Sequence, residues 1–182
     1  MSNPNILLLP GWQNSGEGHW QTLWEQEYGC QRVEQHDWQR PLRGDWVARL
    51  EEVVLATPGP LIMVALSLGC LLVAAWAAHS AQTQRVRAAL LVAPGDAEQE
   101  SLRPVLPSWS PIVRRPLPFA SRLVASGDDP YCTLHRAQGL ARDWGSDWVD
   151  YGERGHINAQ SGLGLWPEGF GWVQDMAAHK PT

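Results

Sequence analysis

Lysine is almost missing from this sequence: Lys180 is the only one in 182 residues. No Walker-type phosphate loop is possible without a lysine beside its glycines to reach the phosphates. Basic character is scarce in general, with 14 Lys+Arg against 19 Asp+Glu, a net charge of −5 and a pI near 5.6. That balance leaves no basic stripe for a nucleic-acid backbone. Cysteine is equally thin. Cys30, Cys70 and Cys132 are an odd number, widely spaced and without a CxxC pair, which fits reduced thiols and excludes a disulfide framework. No two of the six histidines stand three or four residues apart and no HExxH occurs, so no metal site is expected. Gly162-Leu163-Gly164 lacks the remaining spacing of a dinucleotide fingerprint and reads as a turn. No cofactor is expected. The first residues, Met1-Ser2-Asn3-Pro4-Asn5, carry no basic n-region ahead of a short apolar run, so a signal peptide is not expected and a cytoplasmic location is.

What the chain has is apolar content, 44% hydrophobic against 18% charged residues, and an excess of indole: 11 Trp beside 3 Tyr and 2 Phe. This supports one domain over residues 1–182 with a sizeable core. Each buried indole N–H then needs an acceptor. The uncharged run Leu61 to Ala78 approaches the length of a membrane span. It is bounded by Pro58-Gly59-Pro60 and interrupted by Ser67 and Gly69, so it reads as a buried strand, Leu61–Leu66, and a buried helix, Leu68–His79. No membrane association is expected.

Further strands are expected at Ile6–Leu9, Arg32–His36, Val86–Val92, Arg122–Ala125 and Asp147–Tyr151. Helices are expected over His19–Tyr28, from Asp45 as N-cap to Ala56, over Thr133–Asp143 and over Pro167–His179. Strands alternating with helices imply a mainly parallel sheet covered on both faces, an α/β fold in three layers. The segment Gly95 to Ser121 holds five prolines, a density incompatible with a long helix. It is the only lid material in the chain.

The informative residues are Ala65-Leu66-Ser67-Leu68-Gly69. They resemble the G-x-S-x-G nucleophile elbow, with Ala65 for the first glycine, placed between a buried strand and a buried helix. The same residues also suit a core serine in a tight turn. The partners a serine nucleophile needs are nonetheless present and in the order acid, then histidine. Strand Arg122–Ala125 is followed by Ser126-Gly127-Asp128-Asp129-Pro130, and strand Asp147–Tyr151 by Gly152-Glu153-Arg154-Gly155-His156. All three would meet at the carboxyl edge of the sheet. Asp129 is preferred to Asp128 because Pro130 fixes the chain leaving the turn. Asp96 is a rival acid, more simply a loop carboxylate. His19, His36, His79, His135 and His179 have no evident chemistry. Backbone N–H groups of Leu68, at a helix N-terminus, and of Trp12, beside Gly11 in the loop after the first strand, are the expected oxyanion donors.

These motifs resemble those of the small α/β-hydrolases of the retinoblastoma-binding-protein-9 type, which include bacterial proteins predicted to be esterases. The resemblance rests on Leu7 to Glu25 (LLLPGWQNSGEGHWQTLWE), Ser67 to Cys70, Pro116 to Ser121, Ser126 to Cys132 and Gly155 to Asn158. Leu66 stands where members usually carry histidine. The resemblance implies a Ser67–Asp129–His156 triad, a mostly parallel six-stranded sheet and cofactor-free serine hydrolase chemistry. The expected activity is carboxylesterase action on small acyl substrates through an acyl-enzyme. The alternative is a hydrolase-fold interaction module with little turnover, although no protein partner is indicated by the sequence. Trp46 and Trp76 are expected on sheet-packing helices, and Gly11, Trp109 and Trp166 in the acyl pocket of a shallow, open site, the two indoles as its walls.

Overall fold

The computed structural model describes residues 4–178; His179 and Lys180, named above, lie outside them. Six strands form one sheet: β1 (Asn5–Leu9), β2 (Gln31–Arg32), β3 (Leu61–Leu66), β4 (Val86–Val92), β5 (Ala120–Ala125) and β6 (Asp147–Asp150). Their spatial order is β2-β1-β3-β4-β5-β6 and every pairing is parallel. Five helices connect or follow them: α1 (Trp20–Tyr28), α2 (Arg43–Ala56), α3 (Leu68–Ala77), α4 (Leu134–Trp144) and α5 (Pro167–Ala178).

The two-residue period of the strands sorts the core into two layers. Leu7, Leu9, Leu61, Met63 and Ala65 pack with Trp46, Leu50, Val54, Trp76, Leu140 and Trp144 from α2, α3 and α4. Leu8, Ile62, Val64, Leu66 and Leu90 face the other way, onto Trp20 and Trp24 of α1, Val173 of α5 and Trp166. All six residues of β3 are buried, as a central parallel strand covered on both faces requires. The run Leu61 to Ala78 therefore divides into a strand and a ten-residue helix. No helix among the described residues is long and apolar enough to cross a membrane.

Strand β5 starts two residues before its expected first residue, several other ends shift by one, and three further boundaries move for identifiable reasons. The second strand pairs only at Gln31–Arg32. Val33 N–H adds a last bond to Leu8 O at 2.9 Å, and the chain then bends into a turn in which Asp37 Oδ1 accepts from Gln39 and Arg40 N–H. Asp45 does not cap α2. That helix starts three residues earlier with Leu42 at the N-cap, because Arg43 N–H finds Ser108 Oγ at 3.0 Å; Asp45 instead sits in the first turn, where its charge favours the helix dipole. In α3 the helix ends at Ala77 rather than His79. The proline-rich segment contains one short 3-10 turn, Pro107–Trp109, and its Leu102, Leu106, Trp109 and Ile112 are buried against the α2–α4 layer.

The chain leaves β1 in one direction toward β2 and returns on the other side to β3. The carboxyl ends of β1 and β3 flank this topological switch point, the crevice where α/β folds bind ligands.

Candidate active site

Ser67 is the single residue between β3 and α3, at φ 56° and ψ −117°, a region that a residue with a Cβ avoids unless its surroundings impose it. They do so here by close approach. Ser67 N–H donates to Val92 O at 3.0 Å and Cys70 N–H to Ser67 O at 3.0 Å. A Cβ on Gly69 would stand 2.2 Å from Leu9 O, and one on Gly11 would stand 2.9 Å from Ser67 Cβ. Glycine at both positions lets β1, the following loop and α3 press against the turn. Serine at a helix N-cap usually spends its hydroxyl on capping, yet Ser67 makes no capping bond. Leu68, as first residue of α3, has an N–H without an intrahelical acceptor.

Beyond β5, Asp129 is 3% exposed at its side chain and its carboxylate accepts from His156 Nδ1 at 2.8 and 3.0 Å. Tyr131 N–H donates to Asp129 Oδ1 at 2.9 Å. This arrangement puts the histidine proton on Nδ1 and leaves Nε2 as an acceptor. Asp128 has a different task. Its Oδ1 accepts from Ser126 Oγ and from Gly155 N–H, both at 2.8 Å, fastening the acid turn to the loop before His156. Those two bonds, Ser126 first, hold its carboxyl below the usual carboxylate range. Asp96 is paired instead with Arg136, at 3.1 Å.

The residue after His156 is constrained as well. Ile157 is fully buried with φ 49°, an outlier for a β-branched residue. Its carbonyl accepts the Trp20 indole N–H at 2.8 Å.

Ser67 and His156 line one cleft of about 350 Å³, together with Gly11, Trp12, Leu68, Gly95, Leu102, Leu106 and Tyr131. A Cβ on Gly95 would stand 3.1 Å from Ser67 Oγ. Among the described lining residues none is Asp, Glu, Lys or Arg. A larger groove, about 970 Å³, runs along Pro60, Val86–Ala88, Leu117–Arg122 and Asp147 at the amino ends of the strands. Its described lining has no histidine or cysteine; Ser67 and His156 lie in the smaller cleft. Among the described residues no group of three or more His, Cys, Asp or Glu could hold a metal ion.

Two expected pocket walls are absent from it. Trp109 is buried, edge-on to Trp46, with its N–H on Pro41 O at 2.6 Å. Trp166 is buried among Trp20, Trp24 and Trp172, with its N–H on Tyr151 Oη at 2.9 Å. Core packing satisfied both the ring faces and the polar N–H, which drew them away from the cleft. The apolar wall comes instead from Leu102 and Leu106 of the proline-rich segment.

His19, dismissed on sequence grounds, also lines the cleft. Its Nδ1 accepts Gln21 N–H at 3.0 Å as the N-cap of α1, and its Nε2 is buried without a partner. Burial, and secondarily the Arg32 and His156 charges, push its pKa down to about 3. The signal was a His-Trp pair opening a helix, a position where Ser, Thr, Asp and Asn are the usual caps. Cys30, Cys70 and Cys132 are free and buried. Burial raises all three thiols, Cys30 to about 11 and Cys132 to about 12.

A parallel sheet with helices on both faces, and a strained serine that shares one cleft at the carboxyl edge with a histidine–carboxylate pair, have the architecture of an α/β-hydrolase. The profile of the serine hydrolase family matches residues 6–175, and the chain belongs to that family. Among solved structures, a YdeN-like hydrolase from Pectobacterium atrosepticum is 28% identical, with a TM-score of 0.84 over 96% of this chain and 91% of that one. The ydeN product of Bacillus subtilis is 16% identical, with a TM-score of 0.79 over 97% of this chain and all of that one. The esterase RhEst1 from a Rhodococcus species, at 14% identity and a TM-score of 0.68 over 97% and 90% of the two chains, shares the fold. No protein of curated function matches the chain in sequence.

Proposed function

We propose that this serine hydrolase cleaves small, uncharged carboxylic esters, with Ser67, His156 and Asp129 acting as a triad. The observation that carries the reading is the His156–Asp129 bond at 2.8 Å in the same cleft as a strained serine whose hydroxyl makes no capping bond. In this scheme His156 Nε2 takes the Ser67 Oγ proton as the oxygen attacks the ester carbonyl. Leu68 and Trp12 N–H groups receive the oxyanion, aided by the positive end of α3. The imidazolium, stabilised by Asp129, returns its proton to the leaving alkoxide. Water then enters, loses a proton to His156 and releases the acid and Ser67. The cleft supports the substrate class: it is near the small end of ligand pockets, its lining is without charge, and Leu66, Leu102 and Leu106 offer a short apolar wall.

Treatment with a fluorophosphonate followed by peptide mass analysis tests this. One adduct on Ser67, absent in Ser67→Ala, is expected, together with turnover of p-nitrophenyl esters that favours acetate and butyrate over longer chains. Folded protein that neither labels nor hydrolyses any ester overturns the reading and favours the interaction module.

A further inference from the structure

The loop that carries Trp12 contains two consecutive non-glycine residues in the left-handed region, Gln13 at φ 67° and Asn14 at φ 65°. Such a turn keeps its shape only where neighbours hold it. The holder is Arg32, at the end of β2, whose pairing with Leu8 sets it beside the loop that follows β1. Its side chain is 6% exposed. Nη1 donates to Asn14 Oδ1 at 2.7 Å and to Ser15 O at 2.8 Å. Nη2 donates to Thr22 Oγ1 at 2.8 Å, and the single proton of that hydroxyl lies within reach of Gly16 O at 2.8 Å and Ser15 O at 3.0 Å. Nε completes the fork on Glu25 Oε2 at 3.0 Å, which supplies the countercharge at the protein surface. Asn14 Oδ1 also accepts Ser15 N–H at 2.8 Å. A second tie runs to the nucleophile's own strand: Ser15 Oγ donates to Gln21 Oε1 at 2.6 Å, and Gln21 Nε2 to Val64 O at 3.2 Å.

We propose that Arg32 is a positioning residue for the oxyanion. Its guanidinium fixes Asn14 and Ser15, two and three residues beyond Trp12, and so sets the direction of the Trp12 N–H relative to Ser67. The inference rests on the acyl-transfer reading of Ser67 given above. A planar fork with acceptors on several sides does this, whereas a lysine ammonium offers no such fixed geometry. Because the tie acts on the donor to the oxyanion and not on the apolar wall, its loss affects the transition state more than the bound ester.

The test compares Arg32→Lys and Asn14→Gly with wild type. Glycine accepts the left-handed backbone at position 14 while removing the Oδ1 acceptor. The readouts are p-nitrophenyl butyrate kinetics, inhibition by an alkyl trifluoromethyl ketone, and thermal melting. Both variants are expected to lose about 10- to 100-fold in kcat with KM within about threefold, and to bind the ketone more weakly by a similar factor. The ketone reports on the hole because its adduct with Ser67 carries the oxyanion. Glu25→Gln, which leaves the bonds to Asn14, Ser15 and Thr22 in place, is expected to keep wild-type kcat. Should Arg32→Lys fail to fold, the Asn14→Gly pattern decides. Folded variants with unchanged kcat and ketone affinity, or with a rise in KM alone, overturn the inference. A wild-type protein without Ser67-dependent turnover would instead overturn the hydrolase reading beneath it.

Discussion

Replacing Asp129 by asparagine removes one charge and almost no volume, and its effect follows from the hydrogen bonds around the carboxylate. Oδ1 accepts the Tyr131 N–H at 2.9 Å, so in Asp129→Asn the amide oxygen takes that position. The NH₂ group then falls where Oδ2 stood, 2.8 Å from His156 Nδ1. The NH₂ donor stands at the shorter of the two contacts, the retained oxygen lying 3.0 Å from Nδ1, and so favours a bare Nδ1, which moves the imidazole proton to Nε2. His156 then presents a proton to Ser67 where it should present a lone pair, and general-base catalysis fails while the cleft keeps its shape. The wrong tautomer in such a triad lowers kcat by about 10⁴, or about 5.5 kcal/mol at 1.36 kcal/mol per decade. The assay is steady-state hydrolysis of p-nitrophenyl butyrate beside a thermal melt. A kcat reduced by about 10³- to 10⁴-fold with little change in KM is expected. Asp96→Asn, which breaks a pair with Arg136 away from the histidine, is expected to stay within about threefold of wild type. Asp129→Asn within about tenfold of wild type, or a collapse in Asp96→Asn instead, refutes the assignment.

Three further outcomes are expected. The folded His19 titrates at about 3 against 6.5 when unfolded, so the unfolded state takes up the proton first as pH falls. The His19 contribution to wild-type stability should fall by about 2 kcal/mol between pH 6.5 and 4.5, and His19→Gln should lose that part of the slope; identical slopes of urea midpoint against pH count against the assignment. Gly95→Ala brings a methyl to 3.1 Å from Ser67 Oγ and should lower kcat/KM by about tenfold or more without a comparable loss of melting temperature; full activity would mean that the nucleophile needs no such clearance. Native protein at pH 8 should resist iodoacetamide, because Cys30, Cys70 and Cys132 are buried with raised thiol pKa values, and urea should expose all three; rapid native labelling of Cys132 would contradict its burial.

The parts of the fold legible in the sequence were those fixed by local signals. Continuous apolar runs announced β3 and β4 because both faces of a central parallel strand are covered. A serine with small residues around it announced the elbow, since Leu9 O passes where any Cβ on Gly69 would be. Helix α4, expected from Thr133, begins one residue later with Thr133 as its cap through Arg136 N–H. What stayed hidden depends on partners distant in sequence. Arg32 read as an ordinary polar strand residue, and its acceptors lie 7 to 18 residues away, on α1 and in a loop whose conformation no local motif encodes. Trp109 and Trp166 looked available because they sit near loops that border the cleft. Their N–H acceptors, Pro41 O and Tyr151 Oη, lie 68 and 15 residues off. A ring that can bury both faces and satisfy its one donor gains nothing from lining a wet cleft.

The tryptophan-rich layer and the sheet edge that carries the candidate site are mechanically one body. Trp20 meets Trp24 at 4.8 Å and Trp166 at 4.9 Å between ring centroids, and its indole N–H closes on the carbonyl of Ile157. Ile157 is held left-handed against its own preference, and only a rigid environment keeps a β-branched residue there. Its side chain is packed in the same layer as Trp20 and Trp166, so the position of the peptide after His156 is set by the aromatic core and not by the exposed Gly152–Arg154 turn that precedes it. On the other side of the cleft, the loop bearing Trp12 is held by Arg32 and Gln21, both fixed to β2 and α1. Helix α1 therefore supports the two halves at once: Trp20 steadies the histidine, and Gln21 and Thr22 steady the loop of the proposed oxyanion donor. With so few residues outside its βα units, the chain gets the rigidity of its site from one short helix, which explains why the sequence His19-Trp20-Gln21-Thr22 spends a buried histidine, a buried tryptophan and a buried glutamine in its first turn.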